Sequence, residues 1–331
     1  MSEAGESPRG IELGLMVEGQ EGVTWEDWRA LAEAVEQHSF DGLYTSDHYL
    51  SERPGSGREA LDAWGAICAL AAITSRVRLG TVVSPATFRH PSVLAKLVVT
   101  ADHVSGGRID LAMGTGWFEE EHRAYGFRFP SARTRMQTLE EQVEIVRRSW
   151  EEGAFSFTGV HYEIDRLDAR PKPVQRPHPR LVIGGHGGPR SIALAARWAD
   201  EYNSPLPTGE EILARRAALA RAFEGAGRDP DDARFSIMAP VLAGADRGEL
   251  ERRAAAVARF GGEDDADPAG SLARLPATWI VGTPDQIVAR LRELSALGVD
   301  RVLLEATLHT DLEMIELIGR DVLPALRPAG R

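Results

Sequence analysis

Short apolar runs alternate along the chain with longer stretches in which apolar residues recur every three or four positions. The runs read as buried strands and the longer stretches as amphipathic helices. Residues 11–17 (IELGLMV) form the first predicted strand. Thr24 then opens a helix, because T-x-x-D is a capping box with Asp27 in place of Glu, and Trp25, Trp28, Leu31, Ala32 and Val35 make its apolar face. Further strands are predicted at 40–46, 77–83, 109–113, 181–184, 200–203, 234–242 and 302–305. Helices fall between them at 61–73, 91–103, 131–151, 189–199, 210–224 and 283–297, with a last one at 312–323. Each connection is long enough for a parallel crossover. Eight strands alternating with helices predict an α/β fold, a closed (β/α)8 TIM barrel, over a doubly wound open sheet. A dinucleotide-type open sheet would want G-x-G-x-x-G after its first strand, and residues 18–22 are EGQEG.

Two stretches interrupt the alternation. Residues 155–164 (FSFTGVHYEI) alternate and turn at Thr158-Gly159, a hairpin signature, and the proline-rich run 169–180 follows as an extended connector. Residues 254–276 are acidic and glycine-rich and read as an insertion or a mobile cover. The expected organisation is a disordered tail at 1–10 and one barrel domain over 11–325, with insertions near 152–180 and 254–280.

Composition narrows the setting. The chain has 331 residues, 43% hydrophobic and 27% charged, with a net charge of −12. That charge argues against a nucleic-acid or anionic-membrane surface. No apolar run approaches the ~20 residues that span a bilayer, and residues 1–9 lack the basic and apolar regions of a signal peptide. The single cysteine, Cys68, lies in an apolar helical run, allows no intramolecular disulfide, and reads as core. A cytoplasmic protein is expected.

Candidate chemistry gathers where the predicted strands end, which in a barrel is the functional face. The second strand ends in Asp47-His48, and a histidine there suits proton transfer near neutral pH; a purely structural hydrogen-bonded pair is the alternative. The fourth ends in Gly114-Thr115-Gly116-Trp117, where a glycine turn lets the backbone approach a ligand. The fifth ends in Gly184-Gly185-His186-Gly187-Gly188 and leads into a helix, so backbone N–H groups converge as at a phosphate site, with Arg190 and Ser191 as further donors. A conformational turn is the bland alternative. A metal site would need His48, His90, His186 and Asp47 to converge, and the spacing matches no metal motif. There is no G-x-S-x-G nucleophile elbow.

Taken together, SDHY (46–49), RLGTVVSPATFRHPSVLAK (78–96), TADHVSGGRIDLAMGTGWFEEEHRAYG (100–126), RPKPVQRPHPRLVIGG (170–185) and AARWADEYN (195–203) resemble the luciferase-like monooxygenases and, within them, the F420-dependent oxidoreductases. The resemblance implies a barrel, usually a homodimer, with a tricyclic ring at its C-terminal mouth. It implies that Asp47 and His48 lie beside the ring, with His48 as proton donor. Thr81, Val82 and Val83 form a bulge behind the ring, with a cis peptide at Val82–Val83. Gly114, Thr115, Gly116 and Trp117 pass close to the cofactor, Trp117 also walling the substrate. Gly184, Gly185, His186, Gly187 and Gly188 receive the phosphate, and Glu121 anchors the short helix after Trp117. The implied cofactor is F420, with hydride transfer at the deazaflavin C5 to or from a small organic substrate. The alternatives are FMN, supplied reduced by a partner reductase to a monooxygenase, and a non-catalytic cofactor-binding barrel. Lys96 and Lys172 offer no dedicated pocket for a phosphorylated substrate, and Trp117, Tyr49, Phe88 and Trp279 suggest an apolar or aromatic one.

Overall fold

Strands rich in Leu, Val and Ile that bury both faces require helices around them. In the computed structural model, which describes residues 10–53 and 55–327, eight such strands close into a parallel barrel. In chain order the strands are β1 (Glu12–Val17), β2 (Gly42–Thr45), β3 (Arg78–Pro85), β4 (Ile109–Gly114), β5 (Phe155–Thr158), β6 (Glu163–Leu167), β7 (Arg180–Gly184), β8 (Glu201–Pro205), β9 (Arg234–Ala243), β10 (Ile280–Gly282) and β11 (Arg301–Glu305). The barrel runs β1–β2–β3–β4–β7–β8–β9–β11, and β11 returns to β1. The capping box expected at Thr24 forms with Asp27, and two more form at Thr208 with Glu211 and at Thr283 with Gln286. The tail expected at 1–10 lies outside the described residues except for Gly10.

The additions to the barrel differ in detail from expectation. β5 and β6 form an antiparallel hairpin, but its loop spans residues 159–162, closed by the Gly159 N–H on the Tyr162 carbonyl at 2.9 Å. Glu141 holds that loop by accepting the N–H groups of Val160, His161 and Tyr162 at 2.8, 3.0 and 3.1 Å. Residues 254–276 are more regular than their composition suggests. They begin inside the helix Arg247–Phe260 and contain a second, Pro268–Ala273. Asp246 and Asp267 cap these helices by accepting backbone N–H groups. Leu242, Leu250 and Ala254 give the stretch its own small core, and β10 pairs beside the end of β9.

The floor of the barrel is ionic. Six of its eight strands begin on a charged residue: Glu12, Arg78, Arg180, Glu201, Arg234 and Arg301. Arg301, 2% exposed, donates to Glu201 Oε1 from Nε and NH2 (3.0 and 2.6 Å), and from NH1 to Asp110 Oδ2 and Tyr44 Oη (2.8 and 2.6 Å). Arg78 donates to Asp110 from Nε at 2.9 Å, while Arg180 and Arg234 reach Glu12 at 3.1 and 2.9 Å. Tyr44 fits across this floor because Gly42 and Gly14 leave room; a Cβ on either would stand 2.5 or 2.7 Å from its ring. Above it, Met16, Tyr44, Val82 and Leu303 form an apolar layer inside the barrel.

Burial alone would raise the Asp110 pKa, but Arg78, Arg180 and Arg301 hold it well below the usual carboxylate range. A carboxylate with a depressed folded pKa contributes stability that is complete above its unfolded pKa and is lost as pH falls through the folded one. Asp110→Asn leaves buried arginines without their counter-charge. It is expected to cost about 3–5 kcal/mol in urea unfolding at neutral pH, with a flatter acid limb than the parent. A loss below about 1 kcal/mol would mean the cluster does not hold the barrel floor.

Candidate active site

At the opposite end of the barrel, β3 carries one residue more than its neighbour. Thr81 pairs with Leu111 and Ser84 with Met113, so the register slips between them, and the Val82–Val83 peptide within the slip is cis. Val82 points down into the apolar layer. Val83 lies against the ends of β4 and β7: a Cβ on Gly114 would stand 2.5 Å from Val83 Cγ2, and one on Gly184 2.5 Å from Val83 Cγ1. The glycines ending these two strands therefore make room for Val83 as an apolar floor of the mouth.

Asp47 sits beside this bulge, 1% exposed. Its Oδ2 accepts from Ser84 Oγ at 2.7 Å and from Arg89 NH1 at 2.5 Å. Ser84 Oγ also accepts from Trp64 Nε1 at 2.9 Å and meets Thr81 Oγ1 at 3.0 Å. Thr81 is fully buried and supports Ser84. Burial pushes the Asp47 pKa up against the pull of Arg89, whose own pKa rises beside the carboxylate. Asp47 Oδ1 is buried with no hydrogen-bond partner among the described residues.

His48 is oriented by a residue expected only to anchor a helix. Glu121, fully buried in the helix Glu119–Tyr125, meets His48 Nδ1 at 3.0 Å and accepts the N–H groups of Tyr49 and Leu50, the latter at 3.0 Å. One carboxylate thus fixes both the imidazole and the loop after β2. Burial pulls the His48 pKa down, but the hydrogen bond and charge of Glu121, with Glu18 and Glu52, raise it on balance. Trp117, 58% exposed, stacks on Phe118 and meets the His48 ring edge-on at 5.8 Å. Thr115 turns its hydroxyl to the Gly116 carbonyl at 3.4 Å, and Gly116 takes a positive φ of 76°. Tyr49 and Phe88 pack with Tyr125 and Phe127 at centroid distances of 5.0–5.8 Å.

The glycine loop after β7 is partly explained by packing. Tyr202 Oη accepts the Gly187 N–H at 2.8 Å, and a Cβ on Gly185 would stand 2.7 Å from that oxygen. Ser191 Oγ joins Tyr202 Oη at 2.9 Å, while Gly188 starts the helix Pro189–Trp198 with no side-chain cap. His186 and Gly188 are exposed at the rim. Arg190 is committed to Glu140 at 2.9 and 2.6 Å. The cation beside the loop is Arg215 instead: its side chain lies where a Gly187 Cβ would be, at 2.7 Å, and it bonds Ser204 and Glu211. Arg215 comes from the helix Gly209–Gly225, and no motif in the sequence marks it. The histidines of the metal alternative do not converge. His48 pairs with Glu121, His90 caps a helix against Tyr162, and among the described residues no three His, Cys, Asp or Glu are placed to hold a metal ion.

The mouth therefore joins the ends of β2, β3, β4 and β7 around Val83. A family model described as luciferase-like monooxygenase matches residues 11–301. The chain belongs to the luciferase-like monooxygenase family. It is 30% identical over 318 residues to an F420-dependent glucose-6-phosphate dehydrogenase of Nakamurella multipartita, covering 90% of this chain and 91% of that one. It is also 30% identical over 285 residues to an FMNH2-dependent dimethylsulfone monooxygenase of Pseudomonas putida, covering 78% and 77%. Among solved structures, monooxygenase RslO1 from Streptomyces bottropensis superposes with a TM-score of 0.80 at 25% identity, over 96% of this chain and all of that one. An F420-dependent secondary alcohol dehydrogenase in complex with an F420-acetone adduct has the same TM-score at 19% identity, a likeness of fold.

The protein is thus an oxidoreductase of this family with a cofactor of flavin or deazaflavin type. The mouth fits such a group: the unpartnered Asp47 Oδ1 is an acceptor for a ring N–H, and Val83 between two glycines leaves an apolar surface for the ring. Glu121→Gln tests the histidine geometry. Because the pair raises the folded pKa of His48, its contribution is complete below the unfolded histidine pKa and is lost as pH rises through the folded one. The variant is expected to move the His48 titration, followed by NMR, to lower pH; an unmoved midpoint would show that Glu121 does not set it.

Proposed function

We propose that this protein is an F420-dependent oxidoreductase that transfers a hydride between the deazaflavin C5 and a small organic substrate. The observation that carries the reading is His48: Glu121 holds its Nδ1, which leaves Nε2 to exchange a proton with substrate. A reaction that moves a hydride from a carbon bearing O–H or N–H must also move that proton, and a positioned imidazole contributes typically ~10²–10⁴-fold to such a step. Bound at the mouth, F420 supplies two-electron hydride chemistry. The chain's own residues bind, orient and exclude water. Val83 and the ends of β4 and β7 back the ring, Asp47 Oδ1 accepts a hydrogen bond, and Trp117 with Phe118 shields the reacting side. Tyr202, Ser191 and Arg215 surround the glycine loop that receives the phosphate.

The second reading, an FMN-dependent monooxygenase fed by a reductase, is favoured by the similarity to the dimethylsulfone enzyme. Oxygen separates the two. Turnover with reduced F420 is expected to proceed equally under argon and air, whereas a monooxygenase stops without oxygen. His48→Ala is expected to lower kcat by about 10²–10⁴-fold with F420 affinity retained. Full turnover by that variant would remove His48 from the chemistry.

A further inference from the structure

Asp47 is bound on one side only. Its side chain is withdrawn from water, and two donors converge on Oδ2: Ser84 Oγ at 2.7 Å and Arg89 NH1 at 2.5 Å. Oδ1 receives no hydrogen bond among the described residues. A carboxylate oxygen left bare in such a place is costly, and a ligand donor removes that cost. Ser84 is itself held in its donor role, because Trp64 Nε1 donates to Ser84 Oγ at 2.9 Å and the hydroxyl proton goes to Asp47.

Arg89 comes from the loop after β3, and both of its terminal nitrogens are engaged with protein. NH1 takes Asp47, while NH2 donates to Tyr49 Oη and to Asp62 Oδ2, both at 2.8 Å. Asp62 is fixed in turn, since it caps the helix Ala63–Ile73 by accepting the Gly65 N–H at 2.7 Å. Gln142 Nε2 holds the Arg89 carbonyl at 3.0 Å. The planar guanidinium therefore spans a buried carboxylate and a half-exposed one, a two-ended fit that a lysine ammonium does not reproduce. The charged and titratable groups that face Asp47 are Arg89, Asp62 and Tyr49, and of these only Arg89 is positive. Burial and Asp62 disfavour the Asp47 charge; Arg89 and Ser84 oppose them.

We propose that Arg89 is a positioning residue for the cofactor and acts through Asp47: with Ser84 it fills Oδ2, keeps the carboxylate charged and leaves Oδ1 as the acceptor for a ring N–H. This rests on the reading of the mouth as the deazaflavin site, and adds to it a residue that meets the ring only through another. A charged acceptor makes a hydrogen bond roughly twice as strong as a neutral one. The donors on Oδ2 also dictate how an amide would sit in place of the carboxylate. In Asp47→Asn the amide oxygen goes to Arg89 and Ser84, so the NH2 faces the ring donor and no acceptor remains for it.

The test is titration of the full-length protein with F420 across a range of pH, read by ring fluorescence. Each affinity is divided by that of Asp47→Asn at the same pH, so that any titration of the cofactor itself cancels. The parent is expected to bind at least about ten-fold more tightly than Asp47→Asn at neutral pH, and to lose that advantage as the pH falls through the Asp47 pKa. Arg89→Gln should weaken binding about ten-fold at neutral pH and move the midpoint of the loss to higher pH, because the buried carboxylate then protonates more readily. Arg89→Lys, which keeps the charge and loses the fork, should leave the midpoint near the parent's and recover part of the affinity. Placed on Asp47→Asn, Arg89→Gln should cost less than about three-fold, since its route to the cofactor is gone. If Arg89→Gln does not fold, Ser84→Ala removes the other donor on the same oxygen and should move the midpoint in the same direction. A merely structural Arg89 would lower affinity equally at every pH and equally on Asp47→Asn. Either of those results, an unmoved midpoint, or equal binding by the parent and Asp47→Asn would overturn the proposal. Failure of the parent to bind F420 at any pH would instead overturn the deazaflavin reading beneath it.

Discussion

Arg301 ties the barrel shut. It stands on the last strand, β11, and reaches Tyr44 on β2, Asp110 on β4 and Glu201 on β8, so one side chain links strands far apart in sequence across the barrel interior. A barrel needs its interior filled, and here the lowest layer is filled with charge instead of branched apolar residues. Four arginines, Arg78, Arg180, Arg234 and Arg301, face Glu12, Asp110 and Glu201. Buried charges are tolerable only when paired and hydrogen-bonded, and those conditions fix the register of the strands that carry them. Glu12 is level with Arg301, and Glu201 with Arg234. With the floor so fixed, the strand ends at the mouth have fixed positions as well.

The same barrel treats charge differently at its two ends. At the floor every carboxylate has arginine partners, and Asp110 is held ionised. At the mouth the carboxylates fall into three situations. Asp47 is tied through one oxygen and open through the other, Glu121 is wholly committed to His48 and the loop beside it, and Glu305 has no hydrogen bond or ion pair among the described residues. That gradient from compensated to uncompensated charge is what a site needs if its rigid part is to be self-sufficient and its ligand-facing part is to be completed from outside. Val83 marks the boundary, since the residue below it packs inside the barrel and Val83 itself floors the mouth.

Much of this was legible in the sequence. The strand and helix alternation predicts the barrel because period-2 and period-3.6 patterns are local. Glycines at 114 and 184 mark the strand ends. Asp47 and His48 are visible as a titratable pair, but not that Arg89 and Ser84 hold one while Glu121, 73 residues from His48, holds the other. Long-range pairing of that kind leaves no local trace. Arg215 has no local signature for the same reason, while Arg190, adjacent in sequence to the glycine loop, is paired with Glu140. The helices within 247–273 were obscured because glycine and acidic residues dominate their ends, where Asp246 and Asp267 serve as caps. The charged first residues of six strands were in plain view, and their common end of the barrel becomes evident once the strands are aligned.

The proposed function requires the mouth around Val83, Asp47 and His48 to take a deazaflavin. The most direct measurement is equilibrium titration of the purified protein with F420 and, separately, with FMN, followed by fluorescence of the ring. The account predicts saturable F420 binding at least about ten-fold tighter than FMN binding. Tight FMN binding with weak F420 binding would contradict it and make the protein a flavin enzyme, and binding of neither would remove the mouth as a cofactor site.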